Sequence, residues 1–299
     1  MNSNKVLITG STGFIGTHLC RRLDKEQIPY VRFSGNLESF PNVYEHFKNE
    51  KFSIVYHLAG MTSVQDCELN PIQAYQTNVM GTLNILESII KSSQKVKLIF
   101  LSTSHVYSPS IQDGINILID EQFPSKPSSM YAFTKVEAEN TIKFYSKKYP
   151  IGPSVIFRLF NHTHSSQKGP FFFPQLYNQI EKFKNSKGKV ETGNLEIYRD
   201  FSLVSDLIDI LVEAMSLEPS TNCEVFNVCS GEGRLLRNLA QELALQMNAE
   251  IEFIPKVSEF RKEPAVIIGS NAKIKKSLNI KSQTRSDQLF IQHFLNEQI

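Results

Sequence analysis

A chain of 299 residues, 41% hydrophobic and 21% charged, can bury one large core, or one core plus a smaller lobe. Its 32 basic and 30 acidic residues are interspersed and leave a net charge of only +2, which excludes a broad field suited to nucleic acid or an anionic membrane and makes any anion site local. Cys20, Cys67, Cys223 and Cys229 have neither metal-ligand nor disulfide-framework spacing, no apolar run is long enough to span a membrane, and the N-terminus enters a strand pattern at once, so a reduced cytoplasmic protein without metal is expected.

In chain order, KVLITG (5–10) reads as a buried strand, FIGTHLCRRLDK (14–25) as a helix and YVRFSG (30–35) as a second strand. The helical NVYEHFKNE leads to a third strand, SIVYHLAG (53–60), then to a long helix near 71–93 and the strand KLIFLST (97–103). A helix opened by Ser128 to Tyr131 and the strand SVIFRLF (154–160) follow. Strands that alternate with helices and are apolar on both faces predict a doubly wound parallel α/β sheet of Rossmann type. Beyond about residue 161 the pattern loosens, through FFFPQLYNQI, KVETGN, helices at 203–216 and 233–247, IEFIP and a polar C-terminal helix. A smaller mixed α/β substrate-binding lobe is expected there, with 1–164 and 201–230 forming the dinucleotide-binding domain and 165–200 and 231–299 the lobe.

The first strand runs into TGSTGFIG, with Gly10, Gly13 and Gly16 between strand and helix. Glycines there allow a tight turn, let backbone N–H groups reach a pyrophosphate at the positive helix end, and permit close packing of helix on sheet. The second strand ends FSGN, without the carboxylate that would pair with the ribose 2′-OH of NAD and repel a 2′-phosphate. That favours NADPH over NADH, with Arg32 and Ser34 as contacts, although strand alternation leaves open that Arg32 faces away. The connection from this strand to HLAG, NLESFPNVYEHFKNEKF, is short and leaves little room for a further strand.

Tyr131 and Lys135 in YAFTK are i,i+4 neighbours on one helix face, so an ammonium can lie beside a phenol and favour phenolate; an ordinary amphipathic helix with a solvated Lys gives the same spacing. TGSTGFIG, HLAG (57–60), NVMGTLNILE (78–87), FLSTSHVY (100–107), YAFTK (131–135) and RDFSLVSDL (199–207), in this order, resemble the extended short-chain dehydrogenase/reductase family, nucleotide-sugar branch. RLFNHT, GNLEIYRDFSLVSD, VFNVCSGEG and IIGSN are most similar to the GDP-4-keto-6-deoxy-D-mannose reductases within it.

This resemblance implies an NAD(P)-dependent oxidoreductase in which Tyr131 is the catalytic acid or base, Lys135 tunes it and bonds the nicotinamide ribose, and Thr103 orients the substrate oxygen. It implies cofactor contacts at Gly10, Thr12, Gly13, Phe14, Ile15, Leu58, Ala59, Gly60 and Asn78, and substrate contacts at Ser63, Ser104, His105, Asn161, Arg199 and Glu263. Asn161 would meet the sugar nucleotide, Arg199 the diphosphate and Glu263 the nucleotide ribose, while Arg261 falls one position off the family's arginine. The related dehydratases use a carboxylate two residues after the threonine; His105 stands there, which argues for reduction. In GDP-fucose synthases that place holds a residue active in epimerisation, so His105 is also a candidate acid/base, and a pocket-shaping His fits as well. His162 and His164 read as loop residues. The expected activity is reduction of the C4 ketone of a GDP-4-keto-6-deoxy hexose or heptose. The alternatives are a bifunctional 3,5-epimerase/4-reductase, a 4-epimerase or dehydratase of another nucleotide sugar, and a non-catalytic dinucleotide-binding protein. A homodimer through the long helices is implied by the resemblance alone.

Overall fold

The computed structural model describes residues 5–109, 116–256, 265–278 and 285–296. In chain order come β1 (Val6–Thr9), α1 (Phe14–Lys25), β2 (Tyr30–Arg32), α2 (Phe40–Asn49), β3 (Ile54–His57), α3 (Val64–Leu69), α4 (Pro71–Tyr75), α5 (Gly81–Lys91) and β4 (Lys97–Thr103). They are followed by β5 (Asn116–Ile119), α6 (Met130–Lys148), β6 (Ser154–Leu159), β7 (Asn161–Thr163), α7 (Phe172–Glu181), β8 (Lys187–Thr192), β9 (Tyr198–Leu203), α8 (Val204–Glu213) and β10 (Cys223–Val228). The chain closes with β11 (Gly233–Leu235), α9 (Leu236–Gln246), β12 (Glu250–Pro255), β13 (Val266–Gly269), α10 (Ala272–Leu278) and α11 (Asp287–Asn296).

Six parallel strands form the main sheet, in the order β10-β6-β4-β3-β1-β2. Strand alternation explains why these segments are apolar throughout. Val6 and Ile8, Ile54 and Tyr56, Ile99 and Leu101, and Val155 and Phe157 face α1, α8 and Ile274 of α10. Leu7, Val55, Leu98, Phe100 and Ile156 face α2, α5 and α6. The predicted α/β doubly wound class is thus the observed one. β2 is the sheet edge, and among the described residues no strand lies beyond it, because α2 takes up the short connection to β3.

Boundaries differ from expectation at several points, and residues 233–235, expected to open a helix over 233–247, form β11 ahead of α9. Regular pairing of the second strand stops at Arg32, where the chain turns off through Gly35 at φ 129°. The long helix predicted over 71–93 is interrupted by a π-helical turn, Gln76–Met80, between α4 and α5. The widened turn contains Asn78, whose buried side chain bonds outside the helix, a setting in which such turns are common.

β11, β9, β13 and β5 form a second sheet that β7 joins through β9, and β12 pairs with β8 as a separate ribbon. A second apolar core gathers α7, α9 and α11 around Phe173, Leu239, Leu243 and Phe294. Asp200 of β9 is buried and accepts hydrogen bonds from the N–H groups of Ser230, Gly231 and Gly269 and from the Ser230 hydroxyl, at 2.7–3.2 Å. It thereby ties β9 to the turn after β10 and to β13. Burial raises its pKa despite these bonds.

Helix α1 meets the glycine turn so closely that a Cβ on Gly16 would lie 2.1 Å from the Gly10 carbonyl oxygen. Gly16→Ala is therefore expected to lower stability by about 1–3 kcal/mol in urea unfolding. Gly193→Ala, with nothing within 4 Å of the added carbon, is expected to stay within about 0.5 kcal/mol of the parent.

Candidate active site

Parallel strands deliver their following loops to one edge of the sheet, and strand order reverses at β1, flanked by β2 on one side and β3 on the other. At that edge Gly10, at φ 69°, sits so near the next loop that a Cβ would lie 2.6 Å from Ala59 N. Gly13 begins α1 with no side-chain cap, so the first-turn N–H groups face outward beside Thr12, Phe14 and Ile15. Leu58, Ala59 and Gly60 form the opposite wall, and Asn78 Oδ1 comes within 2.8 Å of where a Gly60 Cβ would be.

A buried hydrogen-bond chain holds these loops together. Ala59 N–H donates to Thr9 Oγ1 (3.2 Å), which bonds His57 Nδ1 (2.8 Å); His57 Nε2 bonds Thr82 Oγ1 (3.0 Å), which donates to the Asn78 carbonyl (2.6 Å). Because Thr82 spends its proton on that carbonyl, it accepts from Nε2–H, and Nδ1 accepts from Thr9. Burial, with the Lys135 charge adding to it, lowers the His57 pKa to about 3, so the ring is neutral. Asn78 continues the chain: its amide accepts from Met61 N–H (2.8 Å) and donates to Met61 O (3.0 Å) and Thr134 Oγ1 (2.9 Å). Thr134 in turn donates to Tyr131 O at 2.9 Å. Asn78, expected as a cofactor contact, thus has its side chain committed to shaping the wall.

β4 extends past β3 and ends in Thr103. The Thr103 hydroxyl accepts from His105 N–H (3.2 Å) and lies near enough to the phenol of Tyr131 to influence its ionisation. Tyr131 lies in the first turn of α6, opened by Ser129, whose hydroxyl accepts from Ala132 N–H. Burial pushes the phenol up to about 12; the neighbouring Thr103 hydroxyl pulls it down and nearby Cys67 adds to the rise. Lys135, one turn along and buried, stands 4.1 Å from the centre of the Phe100 ring. Burial lowers its amine to about 7, against the opposing pull of Glu139 and Cys67. The phenol in the unliganded protein is therefore a protonated acid at neutral pH, rather than one made acidic by its neighbour. His105 packs edge-on against the Tyr131 ring at 5.9 Å, with Ser104 between it and Thr103.

The remaining predicted residues are placed as follows. Thr103 pairs in register with Leu159, so Asn161, two residues past Leu159, lies at the same sheet edge; its amide donates to the Asp200 carbonyl (2.9 Å). Arg199, beside Asp200 on β9, donates to the Tyr198 carbonyl (2.7 Å) and the Ala265 carbonyl (3.4 Å). The Ser63 hydroxyl caps α3 by accepting from Asp66 N–H. Arg32 donates to the Tyr30 hydroxyl (3.2 Å) and lines a surface concavity of about 530 Å³ with Asp24 and Gln27, while the neighbouring Ser34 is exposed. Arg261 and Glu263 lie outside the described residues. His162 stacks on Phe14 at 6.2 Å, and His164 packs 4.3 Å from His18. Residue types alone did not single out Thr9, His57, Thr82, Glu139, Arg158 or Asp200; of these, Glu139 carried a signal in being four residues after Lys135.

A family model described as GDP-mannose 4,6 dehydratase matches residues 25–292. The chain belongs to this family. It is an extended short-chain dehydrogenase/reductase, and hence an oxidoreductase. It is 26% identical over 285 residues to GDP-6-deoxy-D-mannose reductase of Pseudomonas aeruginosa, covering 91% of this chain and 90% of that one. To GDP-6-deoxy-D-talose 4-dehydrogenase of Aggregatibacter actinomycetemcomitans it is 29% identical over 246 residues, covering 80% and 79%. The structure of RMD from Pseudomonas aeruginosa complexed with NADPH superposes with a TM-score of 0.86, covering 98% of this chain and 96% of that one; at 24% identity this likeness shows the fold.

A phenol held near 12 does not ionise under mild alkaline conditions. The difference in 295 nm absorbance between the parent and Tyr131→Phe is expected to stay flat from about pH 8 to 10.5 in cofactor-free protein.

Proposed function

We propose that the protein reduces the C4 ketone of a GDP-4-keto-6-deoxy sugar, hexose or heptose, to give a GDP-6-deoxy sugar. The carrying observation is the Tyr131 phenol beside Thr103 at the sheet edge, with Lys135 one turn deeper on the same helix face. Thr103 orients the ketone oxygen, and Tyr131, protonated at neutral pH, donates its proton as negative charge grows there. His105 supplies no carboxylate for dehydration. The relatives named for GDP-6-deoxymannose and GDP-6-deoxytalose support the nucleotide and the deoxy position.

The uncapped start of α1, the close approach of Gly10 to Ala59 and a carboxylate-free end of β2 fit a reduced nicotinamide dinucleotide, NADPH in preference to NADH. When bound, the coenzyme supplies the hydride. Gly10, Thr12, Gly13, Phe14 and Ile15 would hold its pyrophosphate, Leu58, Ala59 and Gly60 its other flank, and Lys135 a ribose. Ser34 is the contact at the 2′ position, with Arg32 joining it on leaving Tyr30. Ser63, Ser104, Asn161, Arg199 and Glu263 would serve the substrate. Residues 1–164 and 201–230 would bind dinucleotide and 165–200 and 231–299 the sugar nucleotide.

Incubation with a panel of keto-sugar nucleotides and both coenzymes, with products identified by NMR, tests this reading. Turnover of a GDP-4-keto-6-deoxy sugar is expected, and Tyr131→Phe is expected to lower kcat by about 10²–10⁴-fold while leaving NADPH affinity nearly intact. A 3,5-epimerase/4-reductase is a second reading, favoured by the His105 ring against Tyr131. Solvent deuterium at C3 or C5 of the product, lost in His105→Ala, would establish it; reduction without such exchange would exclude it.

We further propose a cytoplasmic homodimer. Among the described residues no helix is long and apolar enough to cross a membrane. Leu69 and Ile72, 70% and 75% exposed, and the exposed Tyr75, Met80 and Phe133 lie on α3, α4, the π-helical turn and α6, which pack on one another. A second copy would cover them. Ile72→Glu is expected to convert a dimer to a monomer in size-exclusion chromatography with light scattering.

A further inference from the structure

Beneath the proposed catalytic pair lies a buried carboxylate, Glu139, to which the proposed reaction assigns no part. Tyr131, Lys135 and Glu139 follow one another at i,i+4 along the inner face of α6, and Glu139 is only 1% exposed. Its Oε1 accepts from Ser102 Oγ (2.6 Å) and Arg158 Nε (3.0 Å), and its Oε2 from Arg158 Nη2 (2.7 Å) and Lys143 Nζ (3.0 Å). Ser102 directly precedes Thr103, so the same carboxylate that neighbours Lys135 also pins β4 to α6 at the catalytic level. Arg158, from β6, is 4% exposed and lies 4.8 Å over the Tyr107 ring. Tyr107 is itself fixed by a 2.6 Å bond to Asn227.

The geometry points to Glu139 as a positioning residue that keeps Lys135 charged, acting through the amine rather than touching substrate. This rests on the reductase reading of the same site. The groups facing Lys135 are Glu139 on its own helix, Cys67 of α3, the neutral His57 of β3 and the Phe100 ring of β4, with Tyr131 one turn before it on α6. Glu139 is faced by Arg158, Lys143 and Ser102, with Tyr107 and Cys223 near enough to feel its charge. Burial pushes the Glu139 carboxyl up, but the bonds and charges of Arg158 and Lys143 outweigh it, so the carboxylate persists. Without Glu139, Lys135 and Arg158 would be two cations in one core, and the amine is the group able to shed its proton.

The test follows the Lys135 side-chain ¹³C shift against pH in ¹³C-lysine-labelled, cofactor-free protein, assigned by its loss in Lys135→Met. Glu139→Gln is expected to lower the midpoint by about one to three pH units, Arg158→Met to raise it, and the double variant to fall below Arg158→Met. In turnover, the alkaline limb of the kcat profile is expected to move to lower pH in Glu139→Gln. A folded Glu139→Gln whose Lys135 midpoint matches the parent overturns the inference. Should that variant not fold, an unchanged midpoint between Arg158→Met and the double variant overturns it instead. The titration needs no substrate, so failure of the reductase reading leaves its outcome distinct.

Discussion

The imidazole of His57, held neutral between two threonine hydroxyls, is the joint on which the site's geometry depends. Thr9 precedes the glycine turn, His57 closes β3, Thr82 belongs to α5, and Asn78 reaches from the π-helical turn to α6. Each link donates in one direction, so the tautomer and the orientation of every hydroxyl follow from the ends of the chain. The glycine turn and the helix that carries Tyr131 are thereby registered through buried polar contacts. Apolar packing alone would leave such registration loose.

Much of this was legible beforehand because the signals were local and redundant. α1 and β4 occupy the predicted residues, since a helix opened by glycine and a continuous apolar run leave little freedom. α6 was placed from its opening serines and the Tyr131–Lys135 spacing rather than from an apolar stripe, because its buried face mixes Tyr131, Thr134, Lys135 and Glu139 with Ala138 and Ile142. The break at Gln76–Met80 left no trace in periodicity, as it turns on where one asparagine side chain finds partners. The network of Thr9, His57 and Thr82 was equally hidden, for its members are 48 and 25 residues apart in sequence.

The loop after β7 has its own anchorage. The buried side chain of His164 packs on His18 of α1, and the Ser166 hydroxyl bonds both rings, at 2.8 and 3.4 Å. Burial lowers both imidazole pKa values, with His18 at about 4, so the contact is one between neutral rings. The segment on the proposed sugar side is thus fastened to the helix whose start faces the proposed dinucleotide, and the two halves of the crevice share a wall.

The margins of the sheets bear on behaviour at high concentration. β2, at the rim of the main sheet, has three residues, and the β8–β12 ribbon carries the cross-strand pairs Lys187–Glu250 and Lys189–Glu252 at 2.7 and 3.1 Å. A stray strand seeking backbone partners would find the first margin too brief to grip, and on the second would have to disturb a fringe of hydrated charge. At these two margins the addition of a further strand is thus disfavoured.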